Sequence, residues 1–206
     1  MGPRKNFGSA ITWWIEEFID QEVGLIVKTN IKNNSRMDLE ASLKSIEAVL
    51  SKYKERKCKV YLLHGDLEAG QLTALYNNPK VKCMINIAHG EGFGLPLFEA
   101  AREGLPIITI PWGGQQDFLT HDGKNYFQPV EFKLDTIQES AVWDGVLQKD
   151  SKWAYADQGS YKMTLRKTYK NWDKVKETAN ELQNIIENKF SDEKLYKLFV
   201  DSVLGF

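Results

Sequence analysis

Short apolar runs alternate along the chain with segments in which apolar residues recur every three or four positions. Such runs are typical of buried strands, and the longer periodic segments are typical of helices that bury one face. The predicted strands are 23–29, 58–65, 81–88 and 106–110, and the predicted helices are an N-terminal one through Ile11, Trp14, Ile15 and Phe18, then 35–54, 67–78 and 95–102. This alternation predicts an α/β fold, a doubly wound parallel sheet.

The last third of the chain has a weaker pattern. Residues 125–132 have strand character, and the mixed segment after them contains Trp143 and Trp153, which we expect to be packing anchors. From Ser160 onward, helical spacing predicts two helices and then a final helix, and we expect their aromatic stripe to lie in a core rather than on a binding surface.

We therefore divide the chain into a Rossmann-like domain over residues 1–172 and a C-terminal helical extension over residues 173–206. Its 206 residues are enough for one domain with a substantial core plus such an appendage. The net charge of −1 gives no global field that would attract nucleic acid. Cys58 and Cys83 lie in or beside apolar runs, so we expect buried free thiols in a reducing, cytoplasmic compartment.

One stretch, residues 89–118, contains the candidate chemistry. Gly90, Gly92 and Gly94 follow a predicted strand, and a predicted helix begins directly after them. Glycines permit positive φ and close approach of a ligand, and the free N–H groups of a helix N-terminus favour an anion. Glu91 and Glu99 bracket this anion site, and carboxylates there suit neutral donors such as sugar hydroxyls. A phosphate between two hydroxyl-rich groups describes a nucleotide-sugar.

The segment EGFGLPLFEA, in which seven residues separate Glu91 from Glu99, resembles the donor-site motif of retaining GT-B glycosyltransferases of the family-4 type. The following LPIITIPWGGQQDFL resembles the segment that those enzymes carry next. The resemblance covers roughly residues 2–172 and corresponds to the C-terminal, donor-binding half of such an enzyme. It implies transfer of a hexose from a nucleotide-diphosphate sugar, with retention at the anomeric carbon, in glycan biosynthesis.

The resemblance also implies roles for individual residues. Glu91, as the catalytic-site residue, would bind the transferred sugar, and Glu99 would bind the ribose hydroxyls. Lys5 would bind phosphate, and His89 would contact the donor or orient the loop through the backbone. The remaining predicted donor contacts are Gly65 near the nucleobase and the loop residues Gly92, Phe93, Gly94 and Leu95 around the diphosphate.

The resembled enzymes carry a strand and a phosphate-binding arginine before the turn that contains Lys5, and an acceptor-binding domain before that. We therefore expect this chain to lack its first strand, to bind nucleotide weakly and to transfer little sugar alone. The implied donor is a UDP-sugar or GDP-sugar, with no metal and no further cofactor. The acceptor would be a glycan or lipid bound by the absent domain, and the complete enzyme could be peripheral to a membrane. In the resembled enzymes the terminal helix crosses back to the first domain, so part of its apolar face here could be exposed or used for self-association.

Other ligand-binding classes fit less well. The loop is not GxGxxG, and the strand after it ends in Pro111 and Trp112 rather than an acidic residue, which argues against NAD. No GxxxxGK[ST] motif is present, which excludes a P-loop, and no phosphorylase-type cofactor lysine motif is present. A non-catalytic nucleotide-sugar-binding module, a subunit of a split transferase and a GT-B epimerase remain alternatives. The base, the sugar and the acceptor stay open.

Overall fold

Helices and strands alternate in the computed structural model, which describes residues 2–205. The helices are α1 (Phe7–Phe18), α2 (Arg36–Leu50), α3 (Ala69–Tyr76), α4 (Leu95–Arg102), α5 (Gln116–Leu119), α6 (Gln158–Lys170), α7 (Trp172–Lys189) and α8 (Asp192–Leu204). The strands are β1 (Gly24–Thr29), β2 (Lys59–His64), β3 (Met84–Asn86), β4 (Ile107–Thr109), β5 (Thr120–His121), β6 (Lys124–Asn125), β7 (Gln128–Pro129), β8 (Phe132–Thr136) and β9 (Lys152–Ala156). Met1 and Phe206, the outermost residues of the two predicted segments, lie outside this description.

The central strands are parallel, as predicted, but they form two sheets. β1 pairs with β2 from Gly24 opposite Lys59 onward, and β3, β4 and β7 form the second parallel sheet in that order. Within residues 2–205, β1 and β3 each have a strand partner on one edge only. The prediction of a doubly wound α/β fold is confirmed, but its parallel strands form two sheets, with β1 in one and β3 in the other.

Helix α1 joins the two sheets through its apolar face. Ile11, Trp14, Ile15 and Phe18 are all buried, as their spacing predicted. They belong to one apolar cluster with Val27 of β1 and with Ile87, directly after β3. Burial of this face therefore fixes both halves of the divided sheet against a single helix.

Two predicted strands are shorter than their apolar runs. The N–H of Val81 donates to the carbonyl of Asn78 in a turn, and the N–H of Ala88 donates to the side chain of Asn86, so β3 keeps only Met84–Asn86. The run 125–132 is divided among β6, β7 and β8, with Pro129 at the end of β7. Local side-chain and turn hydrogen bonds replace ladder bonds at these ends.

The segment after β7 forms an antiparallel hairpin of β8 and β9, with Phe132 opposite Ala156. Trp153 lies on β9 and is buried, as expected of a packing anchor. The same expectation for Trp143 is wrong, because its side chain is 67% exposed in the connection between the two strands.

The C-terminal helices differ in how they pack. Helix α6 is bound to α1 by a bidentate pair in which Arg166 donates to Glu17 at 2.6 and 2.7 Å. Helix α7 packs on α4, with Leu182 and Ile186 in one cluster with Leu97. Helix α8 has no buried residue, so the prediction that the aromatic stripe lies in a core is wrong at Phe199. Its exposed apolar residues are Leu195, Tyr196, Leu198, Phe199, Val200, Val203 and Leu204.

In the part of the chain that the structure describes, no helix combines the length and the apolar character needed to cross a bilayer.

Replacing Ile15 by Ala should lower the free energy of unfolding by about 2–5 kcal/mol, because the side chain is fully buried and its removal leaves a cavity between the sheets and α1. The matched control is Ile19→Ala at the end of the same helix, where the side chain is 41% exposed and the expected loss is within about 0.5 kcal/mol. Urea unfolding of both variants measures the difference. Equal losses would contradict the role of α1 as the shared core element.

Candidate functional site: the glycine loop after β3

The glycine loop, residues 89–94, connects β3 to the N-terminus of α4. Gly94 has φ +86° and ends the loop in the left-handed region that favours glycine. Its carbonyl accepts hydrogen bonds from the N–H groups of Leu97 and Phe98 at 2.8 and 3.0 Å, which begins α4. The N–H groups of Phe93 and Leu95 have no backbone acceptor within residues 2–205, so this helix start can bind an anion.

A glycine pair after β4 packs directly against the loop. The N–H of Gly114 donates to the carbonyl of Glu91 at 3.0 Å. A Cβ atom at Gly114 would lie 1.8 Å from the carbonyl oxygen of Gly92, and one at Gly113 would lie 2.7 Å from that of Glu91. No side chain fits at either position, so the pair sets how closely the two loops approach.

Gly90 and Gly92 fit one of the two roles expected of the loop glycines. Neither has a positive φ, so backbone freedom is not the reason for glycine at these two positions. A Cβ atom at either would meet no protein atom within 4 Å. The backbone is open to close approach from outside, which is the second property that glycine offers.

Glu91 is the centre of a charged cluster. Its carboxylate accepts hydrogen bonds from Lys5 at 2.6 Å, from Arg4 at 3.0 Å and from the Asn86 amide at 3.1 Å. The side chain is only 9% exposed, and this burial acts to raise its pKa. The bonds from Lys5, Asn86 and Arg4 outweigh burial and hold the pKa of Glu91 below its ordinary value, so the group is ionised at neutral pH.

The cluster carries two cations for one carboxylate. Arg4 also donates to the carbonyl of Gly90, and the side chains of Arg4 and Lys5 remain 42% and 47% exposed. The surplus positive charge therefore lies at the loop and faces solvent. Sequence reasoning assigned Lys5 but missed Arg4 and Asn86. Arg4 precedes Lys5 directly, and Asn86 is a lone polar residue in an apolar run, so both signals were present.

Glu99 lies apart from this cluster, on α4 near α3. Burial and then the neighbouring Glu99 carboxylate raise the pKa of Tyr76 to about 12. The Tyr76 hydroxyl thus stays protonated and lies within reach of the partly exposed Glu99 carboxylate. The structure places the two glutamates of the motif in different surroundings, one between cations and one beside a phenol.

Gly65 lies at the end of β2 with φ +87°. Its carbonyl accepts a hydrogen bond from Lys28, and a Cβ atom here would meet the Asn34 amide oxygen at 3.1 Å. Its neighbour His64 bonds the carboxylate of Asp38 at 2.8 Å. Desolvation acts to raise the pKa of Asp38, but bonds from backbone N–H groups, beginning with that of Ile31, and from His64 hold it well below its ordinary value. Within residues 2–205, Gly65 makes no hydrogen bond to the glycine loop.

The remaining predicted residues border the loop. Phe93 and Leu95 are exposed, while His89, the first residue of the loop, is buried. The two cysteines are unpaired: Cys58 is buried and Cys83 is partly so, and burial raises the pKa of both thiols. Among residues 2–205, no three His, Cys, Asp or Glu side chains are grouped to hold a metal ion. The expectation of a metal-independent site stays a prediction.

Two alanine substitutions separate the two kinds of glycine. Gly114→Ala should lower the melting temperature by several degrees, because the new Cβ would overlap the Gly92 carbonyl and force the loops apart. Gly92→Ala should leave the melting temperature within a degree or two, because its Cβ meets no protein atom. Thermal unfolding followed by circular dichroism measures both. A larger loss for Gly92→Ala than for Gly114→Ala would contradict the packing described here.

Comparison with known proteins gives no matching family model. The chain is 24% identical over 113 residues to poly(glycerol-phosphate) alpha-glucosyltransferase of Bacillus subtilis, a match that spans 55% of this chain and 16% of that protein. It thus covers a small part of this curated relative.

Solved structures match over nearly the whole chain. The structure of HepE from Anabaena, in complex with UDP and glucose, matches with a TM-score of 0.64 and 14% identity over 100% of this chain and 46% of that one. The C-terminal domain of LpcC, a group 1 glycosyl transferase family protein from Francisella tularensis, matches with a TM-score of 0.51 and 13% identity over 93% of this chain and 95% of that domain. Both the order of elements and the extent of these matches lead to one conclusion: the chain has the fold of the C-terminal, Rossmann-like domain of a GT-B glycosyltransferase.

Proposed function

We propose that this chain is the donor-binding domain of a retaining glycosyltransferase of the family-4 type and binds a nucleotide-diphosphate sugar at the glycine loop. The observation that supports this most directly is the convergence of Arg4 and Lys5 on Glu91 at the N-terminus of α4. The structure of HepE, which has the same fold, was determined in complex with UDP and glucose.

The diphosphate would bind between the two cations and the helix start. Arg4 and Lys5 offer several charged N–H donors, and the free N–H groups of Phe93 and Leu95 add backbone donors beside them. One carboxylate neutralises only one of the two cations, so an anion is favoured at this place. Arg4 would supply a guanidinium for the diphosphate at this place.

The two glutamates would bind the groups on either side of the diphosphate. Glu91, ionised and within the cluster, would accept hydrogen bonds from the transferred sugar. Glu99, on α4 beside Tyr76, would accept them from the ribose hydroxyls, and the Gly65 turn would border the base. The open backbone at Gly92 allows the donor to lie directly on the loop.

In the reaction, the bond between the anomeric carbon and the diphosphate oxygen breaks while an acceptor hydroxyl attacks from the same face. The acceptor proton passes to the departing phosphate oxygen. Arg4 and Lys5 would stabilise the charge that develops on that phosphate, and the loop would orient the sugar. The acceptor would be a glycan or lipid that a further domain binds, so this chain alone would transfer little sugar.

A second candidate is a nucleotide-sugar-binding subunit that completes its site with another polypeptide or domain. The exposed apolar face of α8 favours it, as do the edges of β1 and β3 that have no strand partner within residues 2–205. We propose that a further parallel strand lies between β1 and β3 in the complete assembly, since α1 already packs against both. A GT-B epimerase would use the same donor site.

Titration calorimetry with UDP, GDP and ADP tests the donor site. One of these diphosphates should bind more tightly than its 2′-deoxyribose analogue. Glu99→Ala should lower the affinity for that diphosphate roughly tenfold, because hydrogen bonds to the carboxylate are lost. The variant should then bind the ribose and 2′-deoxyribose forms equally. Glu187→Ala, an exposed change on α7, is the control and should bind as the wild type does. Unchanged affinity in Glu99→Ala would remove its ribose role, and no binding of any diphosphate would contradict the proposed function.

Arg4→Ala and Lys5→Ala should each weaken the same diphosphate by roughly tenfold, at the low end of the 1.5–3 kcal/mol typical of charged hydrogen bonds, because both side chains are partly exposed. The corresponding nucleoside should bind both variants as it binds the wild type. Lys80→Ala removes an exposed charge elsewhere and serves as the control. If the two variants lose the same affinity for the nucleoside as for the diphosphate, Arg4 and Lys5 do not bind phosphate.

A further inference from the structure

His89, the first residue of the glycine loop, is held in place through its N–H group, its carbonyl group and its ring. Its backbone N–H donates to the carbonyl of Arg4 at 2.8 Å, and its carbonyl accepts from the N–H of Ala154 at 3.0 Å. The ring stacks on Trp153 with centroids 5.4 Å apart and lies 4.4 Å from the ring of Tyr155. The residue is only 3% exposed, so the imidazole has one orientation.

The hydrogen bond of the ring decides its tautomer. Nδ1 lies 2.9 Å from the carbonyl oxygen of Ala154, and a carbonyl can only accept, so Nδ1 carries the proton. Burial lowers the pKa of His89 despite this bond, and the ring is neutral at pH 7. Nε2 therefore carries a lone pair, and within residues 2–205 the only hydrogen bond of the ring is the one at Nδ1.

A neutral imidazole that offers only an acceptor has a definite chemical preference. It cannot donate to a phosphate oxygen through Nε2, whereas Arg4 and Lys5 can donate to one. It can accept a hydrogen bond from a hydroxyl, as can the carboxylate of Glu91 two residues later. Nε2 is not among the fully buried unpartnered polar atoms of residues 2–205, so its lone pair is accessible to a hydroxyl of a ligand.

We propose that His89 is a specificity-determining residue whose Nε2 accepts a hydrogen bond from one hydroxyl of the transferred sugar, beside the hydroxyl that Glu91 binds. This proposal rests on the proposed donor site and narrows the expected role of His89 from any donor contact to the sugar alone. A residue that only packed the loop on β9 would need the Nδ1 bond and the ring stacking, but not the acceptor.

Two substitutions separate the nitrogens of the ring. In His89→Asn, the side-chain amide can replace the Nδ1–H bond to Ala154 while the Nε2 acceptor is lost. In His89→Gln, the amide reaches the place of Nε2 and can restore an acceptor. Calorimetry should use the diphosphate that binds best among UDP, GDP and ADP, together with its glucose conjugate.

The expected result is that His89→Asn binds the diphosphate as the wild type does but loses roughly tenfold in affinity for the glucose conjugate, with partial recovery in His89→Gln. Conjugates of 2-, 3-, 4- and 6-deoxyglucose then identify the hydroxyl. One of these conjugates lacks the hydroxyl that His89 binds, so the wild type and His89→Asn should bind that conjugate with equal affinity.

Equal loss for diphosphate and conjugate in His89→Asn, or no loss for either, overturns the proposal while the donor site stands. Failure of the wild-type chain to bind any diphosphate or conjugate overturns both. Unchanged melting temperature in His89→Asn shows that any loss comes from the missing acceptor rather than from unfolding.

Discussion

The need to compensate one nearly buried carboxylate organises the site. Glu91 lies in a loop after β3, and the cations that compensate it come from a turn more than eighty residues earlier in the chain. A carboxylate removed from water is stable only when charged or polar donors surround it. The contacts of Glu91 with Arg4 and Lys5 also tie the turn before α1 to the loop after β3.

Close packing between the glycine loop and the glycine pair after β4 also holds the site in place. The carbonyl groups of Glu91 and Gly92 lie so close to Gly113 and Gly114 that no side chain fits between the two loops. This contact holds the loop backbone in place while its other side stays open at Gly92. Rigid support on one side and access on the other are what a site needs if its donors are to be positioned before a ligand arrives.

The prediction from sequence was accurate where the signal is local. The spacing of Ile11, Trp14, Ile15 and Phe18 identified the buried face of α1, and the helix predicted from Leu95 to about Arg102 agrees with α4. It was wrong where burial depends on distant partners: Trp143 and Phe199 are exposed, because a pattern shows that a residue is apolar but not what covers it.

The sequence by itself determined the alternation of strands and helices, the glycine loop and the two glutamates of its motif, because these depend on spacing and on local backbone preference. Only the tertiary structure decided that Arg4 compensates Glu91, that the parallel strands are divided between two sheets and that the neutral ring of His89 presents an acceptor. Each of these depends on atoms from segments far apart in the chain, and no local pattern encodes which segments will meet.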